Sequence, residues 1–270
     1  MSIYRVDKLI SDFDETISQK DTIQSLITAA MQNRTADELP TVAEWEQTVE
    51  WYRTCYSHKC DKWLNGSREH CQGTITDFLS EIESLEMVAI GRVMKEKFLA
   101  GLRQEHLRKV GRQVQKREGA RTYLSEMRSA GVTVEILSAN WSQIFVEEAV
   151  KGFCDAVIAN RLLFDERGLS TGEIDLRVLS AQDKWKHFKS RRSKTGLTCY
   201  VGDSISDLRA ILDADVGILV GENQMCLRTI EQFQIPIERV SKASRRTVGT
   251  NKHILHADCW ETINRLLKQT

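Results

Sequence analysis

Two aspartates near the start of the chain are the first residues whose types and spacing could do chemistry. Asp12 and Asp14 follow the apolar pair Leu9 and Ile10, which is typical of the end of a buried strand, and a hydroxyl follows at Thr16. Two carboxylates in one pocket repel each other, which raises the pKa of one of them. The pattern predicts a metal ion or a shared proton at a strand end. The alternative is an acidic turn in which Thr16 caps a helix.

A second acidic pair lies further along the chain. Asp203 and Asp207 follow the β-rich run 197–201, and Gly202 allows a close approach of the backbone. Acids at a helix start would be unremarkable alone, because the helix macrodipole favours negative charge there. A second acidic pair directly after a predicted buried strand instead favours a shared metal site.

Two positions between these pairs could bind an anion. Ser138 and Asn140 follow the predicted strand 132–137, where a hydroxyl and backbone N–H groups suit a phosphate oxygen, or where either side chain could cap the next helix. Lys184 lies at the start of a predicted helix, where the macrodipole disfavours a cation. Neighbouring carboxylates or a bound anion would compensate. A surface lysine is the alternative, and Lys186 is a weaker candidate for the same role.

The arrangement of predicted elements places these motifs at one edge of a sheet. Strands and helices alternate from 132 to 220, which predicts a parallel α/β sheet whose ligands bind at the carboxyl ends of the strands. Between 21 and 113 the sequence favours helices, with a break near Gly91. We therefore predict a core of residues 1–20 and 114–270, into which the helical domain 21–113 is inserted.

Composition restricts the class of protein. The 38 Lys and Arg residues equal the 38 Asp and Glu residues, which argues against a general nucleic-acid partner. No apolar run reaches membrane-spanning length, and the first residues lack the apolar core of a signal peptide. The seven scattered cysteines are typical of reduced thiols. We expect a cytoplasmic protein with neither a membrane nor a nucleic-acid partner; its oligomeric state stays open.

Taken in order, the polar motifs form a signature of four parts. The segment from Asp12 to Thr16, Ser138, Lys184 and the run 202–207 resemble the four motifs of the haloacid dehalogenase-like hydrolases, most of which are phosphatases. The resemblance implies a Rossmann-like, doubly wound parallel α/β sheet with an inserted all-helical cap domain. It also implies a phosphoric monoester hydrolase that acts on a small phosphorylated metabolite through an aspartyl-phosphate intermediate.

The resemblance assigns roles to the four acids. Asp12 is expected to be the nucleophile, and Asp14 to protonate the leaving group and then activate water. Mg²⁺ is the implied cofactor, held by the carboxylate of Asp12, the backbone carbonyl of Asp14 and the carboxylate of Asp203. Asp207 is expected to hold the waters of the metal or to orient Lys184.

The remaining motif residues are expected to bind the substrate. Ser138 and Lys184 would bind the phosphoryl oxygens, with Thr16 and Asn140 beside them. Each of these assignments is implied by the match to the family motifs.

A narrower resemblance concerns the identity of the substrate. Several segments are similar to the phosphatase domain of plant thiamin monophosphate phosphatases and their fungal relatives, which implies thiamin monophosphate or a related vitamin phosphate. These segments are 45–52, 137–142, 159–160, 170–174, 200–204 and 214–218. A phosphatase for phosphoserine or a sugar phosphate is the alternative, as is a non-catalytic protein of this fold that binds a phosphorylated ligand.

Aromatic residues of the insertion could contact such a substrate, because aromatic faces bind flat cationic rings. Four share one helical stripe, which is typical of a bundle core: Trp45, Tyr52, Tyr56 and Trp63. Trp51 lies off this stripe and is the predicted substrate contact, and Trp141, beside the phosphate motif, could line the pocket.

Two further clusters favour a structural explanation. The basic run 242–246 is typical of a solvated loop. The other cluster lacks the closely spaced cysteine pairs of a zinc site and consists of Cys55, His58, Cys60, His70 and Cys71.

Overall fold

A seven-stranded parallel sheet lies at the centre of a computed structural model that describes residues 4–33, 40–65, 74–240 and 253–267. The strands in this part of the chain are β1 (Val6–Ser11), β2 (Thr133–Leu137), β3 (Ala156–Ile158), β4 (Arg161–Phe164), β5 (Ser170–Asp175), β6 (Leu197–Gly202), β7 (Val216–Val220), β8 (Ile237–Val240) and β9 (Ile254–Ala257). The order in the sheet is β3-β2-β1-β6-β7-β9-β8, and β4 and β5 form a separate antiparallel pair.

The strand order brings the two acidic motifs together. β1 pairs with β2 on one side and β6 on the other, so that Ser11 is in register with both Ile136 and Val201. The order of winding reverses between β1 and β6, and open α/β sheets bind ligands at the carboxyl ends of strands at such a point. Leu9 and Ile10 are fully buried, as the apolar run predicts. The predicted Rossmann-like parallel sheet is confirmed.

Helices cover both faces of this sheet and form the insertion. Those described are α1 (Ile23–Asn33), α2 (Val42–Leu64), α3 (Ile75–Lys95), α4 (Gln104–Gln113), α5 (Ala120–Ser129), α6 (Gln143–Ala149), α7 (Ala181–Arg191), α8 (Leu208–Asp213), α9 (Gln224–Gln232) and α10 (Trp260–Leu267). A short 3₁₀ turn, Ile205–Asp207, precedes α8.

The long helices of the insertion begin where the sequence carries capping residues. Thr41 and Thr74 start α2 and α3, and each side chain accepts a hydrogen bond from the backbone three residues on, at Glu44 and Asp77. The helical character predicted between residues 21 and 113 is confirmed in the described part of this region. The predicted break near Gly91 was wrong: α3 continues through it, because one glycine lowers helix stability by only about 1 kcal/mol relative to alanine.

The last helix of the insertion is packed against the core. A Cβ atom on Gly111 of α4 would lie 2.6 Å from the carbonyl oxygen of Phe145 in α6, so the two helices approach closely. Leu26 of α1 and Leu107 of α4 belong to the same apolar cluster as Val134 of β2. α1 and α4 are thereby anchored on the core, while the domain limits 21 and 113 stay a prediction.

The β4–β5 hairpin supports the connection between α3 and α4. The hydroxyl of Ser170 donates to the carbonyl of Leu99 (2.5 Å) and accepts from the N–H of Leu102 (2.8 Å). Within the ranges described, no helix is long and apolar enough to cross a membrane. The six cysteines of those ranges form no disulfide.

Substituting Gly111 by alanine tests the contact between α4 and α6. We expect Gly111→Ala to lower the free energy of unfolding by about 1–3 kcal/mol, because the added methyl group meets the backbone of α6. Gly91→Ala is the matched control: a Cβ atom at Gly91 would have no atom within 4 Å, so the better helix propensity of alanine should raise stability by up to about 1 kcal/mol. Urea denaturation measures both. Equal effects of the two substitutions would contradict this packing.

Candidate active site

The first aspartate lies at the carboxyl end of the central strand β1. Its backbone N–H donates to the carbonyl of Val201 in β6 (2.9 Å), which continues the parallel pairing by one residue. The side chain of Asp12 is almost completely buried and accepts a hydrogen bond from the ammonium group of Lys184 (2.7 Å). The strand therefore presents one carboxylate to a buried cation.

Lys184 reaches this position from the first turn of α7. Ser180 begins α7 with a capping box to Asp183, and the buried ammonium of Lys184 lies between Asp12 (2.7 Å) and Asp207 (2.8 Å). Burial alone would lower the pKa of Lys184, but the two carboxylates outweigh it and raise the pKa above its usual value. The two carboxylates therefore favour the charged form of Lys184. Lys186, the weaker candidate, is instead an exposed residue that pairs with Asp183.

Three carboxylates meet beside this cation. Oxygen atoms of Asp12, Asp203 and Asp207 lie within 4.8 Å of one another, and all three residues are buried. The hydroxyl of Thr16 donates to Asp203 (2.9 Å) and lies 3.4 Å from Asp12. Burial, and then the charge of Asp207, raises the pKa of Asp203 to about 7. Burial raises the pKa of Asp12 well above its usual range, although Lys184 opposes this.

This group of acids fits a hard divalent cation. Hard cations such as Mg²⁺ prefer carboxylate oxygens, and a bound cation would favour the charged forms that burial disfavours. In the described part of the chain, Asp12, Asp203 and Asp207 form the one group of three or more acidic, Cys or His side chains arranged in this way. The backbone carbonyl of Asp14 as a further ligand stays a prediction.

Asp207 is held by several neighbours at once. One of its oxygens accepts from Lys184 and from the hydroxyl of Tyr200 (2.8 Å), and the other accepts from the hydroxyl (2.9 Å) and backbone N–H (3.2 Å) of Ser204. A Cβ atom on Gly202 would collide with this side chain, which explains the glycine before the acidic motif. This favours the prediction that Asp207 orients Lys184.

Asp14 lies apart from this group of three carboxylates. Its carboxylate accepts from the backbone N–H (2.9 Å) and hydroxyl (2.5 Å) of Thr22 and from the side-chain amide of Asn140 (3.1 Å). Burial, and then the charge of Asp21, raises the pKa of Asp14 to about 6, although these hydrogen bonds oppose the shift. A carboxyl group with this pKa can both give and take a proton near neutral pH.

Ser138 and Asn140 belong to a short polar turn that follows β2. The hydroxyl of Ser138 accepts from the backbone N–H of Asn140 (3.0 Å), and the side-chain oxygen of Asn140 accepts from the N–H of Ser142 (3.1 Å). Ser142, rather than Ser138 or Asn140, has the side chain that caps α6. No acceptor for the hydroxyl proton of Ser138 is found among the described residues, so that proton can be donated to a ligand.

Three residues that support the acids, Thr22, Tyr200 and Ser204, were not predicted from the sequence. Thr22 carries a usable signal, since a threonine directly before a helix, here α1, can be a capping residue. Tyr200 lies within a β-rich run, where its spacing resembles that of any buried aromatic. Its contact with Asp207 depends on how the chain turns after β6.

A cavity of about 910 Å³ connects these side chains with the insertion. Trp45, Tyr52 and Tyr56 line it from α2, and Trp141 lines it from the core. The rings of Trp45 and Trp141 meet edge to face with centroids 6.3 Å apart. Trp141 therefore lies where the sequence suggested.

The aromatic stripe of α2, which is typical of a bundle core, also forms part of the cavity wall. Trp45 is buried but borders the cavity, as do Tyr52 and Tyr56, because α2 spans both the packed interior and the cavity wall. Trp63 packs on Phe78 and matches the core prediction. Trp51, the predicted substrate contact, does not line this cavity and instead stacks beneath the guanidinium of Arg92 (3.6 Å to the ring centroid).

The two remaining sequence clusters lie partly or wholly outside the described residues. Cys55 and Cys60 are thiols on α2, whereas His70 and Cys71 lie outside the described residues. The basic run 242–246 also lies outside them.

Comparisons with known proteins find similar sequences and a similar fold. The chain is 29% identical over 171 residues (58% of its length) to the mitochondrial bifunctional TH2 protein of Arabidopsis thaliana, and that match spans only 28% of the plant protein. It is 24% identical over 251 residues to a CTO1 family protein of Schizosaccharomyces pombe, covering 83% of this chain and 85% of that protein. A substrate-bound phosphoserine phosphatase has a similar fold, with a TM-score of 0.54 at 17% identity over 84% of this chain and 91% of the other.

The sequence profile of one family extends across the motifs that form the pocket. The profile of the haloacid dehalogenase-like hydrolases matches residues 9–211, which include both acidic motifs and the insertion between the first of them and β2. Because the match covers most of the chain, the protein belongs to the haloacid dehalogenase-like hydrolase family.

Proposed function

We propose that this hydrolase is a Mg²⁺-dependent phosphatase that cleaves a small-molecule phosphate monoester through an aspartyl-phosphate intermediate. The observation that carries the proposal is the charged, buried Lys184 between Asp12 and Asp207, beside Asp203 and at the end of a ligand-sized cavity. A cation in this position suits the charge of a transferring phosphoryl group. A protein that only binds a phosphorylated ligand would not need a second acid with a raised pKa, such as Asp14.

The first step is nucleophilic attack by Asp12. A carboxylate oxygen of Asp12 forms a bond to phosphorus while the bond from phosphorus to the leaving oxygen breaks. The ammonium of Lys184 and the hydroxyl of Ser138 bind the phosphoryl oxygens. When bound at Asp12, Asp203 and Asp207, Mg²⁺ supplies positive charge that offsets the repulsion between the carboxylates and the phosphoryl group.

Asp14 handles the proton in both steps. In the protonated form it donates its proton to the departing oxygen, and as the carboxylate it then accepts a proton from the water that attacks the aspartyl-phosphate. Thr22 and Asn140 hold the carboxyl group in place through three hydrogen bonds. Water attack releases inorganic phosphate and restores Asp12.

For the substrate, we propose thiamin monophosphate or a related vitamin phosphate. The sequence similarity to part of the Arabidopsis TH2 protein supports this choice, as do the aromatic rings of Trp45, Tyr52 and Trp141 around the cavity. The similarity in fold to a phosphoserine phosphatase supports an amino-acid phosphate as the second candidate substrate. A cytoplasmic location stays a prediction.

Replacing the nucleophile tests the mechanism. We expect Asp12→Asn to lower the rate of phosphate release by at least about 1000-fold, because an amide cannot form the phosphoryl ester. EDTA should abolish the activity of the unmodified protein, and added Mg²⁺ should restore it. Release of phosphate from p-nitrophenyl phosphate measures both effects, with circular dichroism to establish that the variant is folded. A folded Asp12→Asn protein with full activity would rule out the mechanism.

A panel of phosphate esters tests the substrate class. We expect the highest kcat/KM for thiamin monophosphate when it is compared with phosphoserine, pyridoxal phosphate, nucleoside monophosphates and sugar phosphates. The flat ring system of thiamin matches the aromatic walls of the cavity. The rate of phosphate release at several substrate concentrations gives kcat/KM for each ester. A clear preference for a sugar phosphate or a nucleotide would overturn the substrate assignment.

Removing one hydroxyl tests the positioning of Asp207. We expect Tyr200→Phe to lower kcat about tenfold with little change in KM, since the lost hydrogen bond to a buried carboxylate loosens the partner of Lys184. Tyr123→Phe, on α5 and outside the cavity, is the control and should leave both constants unchanged. A Tyr200→Phe protein with an unaltered kcat would show that Lys184 and Ser204 hold Asp207 in place without Tyr200.

A further inference from the structure

A half-buried carboxylate on the cap side of the cavity has no cationic partner in the described part of the chain. Glu86 of α3 lines the cavity, and its one hydrogen bond among these residues comes from the hydroxyl of Tyr52 on α2 (2.6 Å). No Lys, Arg or His of the described ranges lies within ion-pair distance of it. Burial raises the pKa of Glu86. A charge removed from water without a partner is unfavourable, and such acids are normally paired or bound to a ligand.

Aromatic rings border the same part of the cavity. Tyr52 and Tyr56 lie one turn apart on α2 with ring centroids 5.7 Å apart, and both line the cavity next to Glu86. Aromatic faces attract organic cations, and the attraction increases where water is excluded. A carboxylate next to two aromatic rings is an arrangement that suits a positively charged organic group.

The other charged groups of the cavity do not neutralise Glu86. Glu83, one turn earlier on α3, adds a further negative charge to the wall. Lys184 is already bound to two aspartates. Lys20 and Arg53 also line the cavity, but both are exposed to solvent and neither forms an ion pair with Glu86.

We propose that Glu86, Tyr52 and Tyr56 form a recognition site for a positively charged leaving group, so that the preferred substrates are phosphate monoesters of organic cations. The proposal rests on the phosphatase function proposed above, and it goes further by assigning the charge of the substrate and the residues that read it. The phosphoryl group binds at Asp12 and Lys184, and the cationic end of the same molecule binds between α2 and α3.

Two ligands that differ only in charge test this site. One is an alkyl phosphonate that ends in a trimethylammonium group, and the other is its tert-butyl isostere, in which carbon replaces nitrogen. Neither can be hydrolysed, because CH₂ replaces the ester oxygen, so calorimetry on the full chain with Mg²⁺ measures binding without turnover. We expect the cationic ligand to bind at least about tenfold more tightly, a difference of about 1.4 kcal/mol.

Variants assign that preference to the proposed residues. In Glu86→Gln the ratio of the two dissociation constants should fall to near one, with a thermal melt to establish folding. Glu81→Gln is the matched control on the same helix: Glu81 lies outside the cavity near Lys59 and Lys62, so the ratio should not change. Retention of the full preference in folded Glu86→Gln would overturn the assignment.

Binding measurements on the unmodified protein can also overturn the proposal. Equal binding of the two phosphonates, or binding of neither, would exclude a cation site. Tighter binding of the phosphonate analogue of phosphoserine than of the trimethylammonium ligand would instead assign the cavity to a zwitterionic leaving group. Arg53 would then bind its carboxylate and an acidic residue its ammonium group. Failure of the proposed phosphatase function gives a different result. No ester of the panel would then release phosphate, while the preference for the cationic ligand in binding would persist.

Discussion

The contact on which the site depends is the buried ion pair network of Lys184 with Asp12 and Asp207. Three carboxylates within a few ångströms and out of contact with bulk water would repel one another, and removing the one cation from such a group leaves buried charge uncompensated. The network joins β1, α7 and the turn after β6, which lie far apart in sequence. Its geometry therefore depends on the pairing of β1 with β6 and on the position of α7.

Asp14 lies only two positions after Asp12 in the sequence but has different surroundings. Its partners, Thr22 and Asn140, come from the start of the insertion and from the turn after β2. The left-handed backbone at Glu15 (φ 53°) belongs to the turn that directs the chain away from β1 after the two acids. Asp14 is thus held by both parts of the protein, so the position of its carboxyl group depends on the position of the insertion.

The insertion shows where sequence patterns stop being informative. A stripe of aromatic residues at helical spacing predicts a buried face, and Trp45 and Trp63 are buried or packed as expected. The same stripe continues as the wall of the cavity at Tyr52 and Tyr56, because a wall and a core require the same apolar surface. Periodicity cannot distinguish the two, which is why Trp51, off the stripe, was the wrong choice for a cavity-lining residue.

The sequence by itself determined the part of the sheet from β3 to β7, most of the helices, and the positions of the four acids and Lys184, because alternating elements and polar residues at strand ends are local signals. The strands β8 and β9 at one edge of the sheet were not predicted. The predicted break at Gly91 was wrong, because a single glycine weakens a helix without ending it. The tertiary structure alone decided which residues meet across the chain. Tyr200 donates to Asp207 and Thr22 donates to Asp14 across turns of the chain, and Tyr52 donates to Glu86 between two helices. The path of the folded chain, rather than a periodic spacing, brings each pair together.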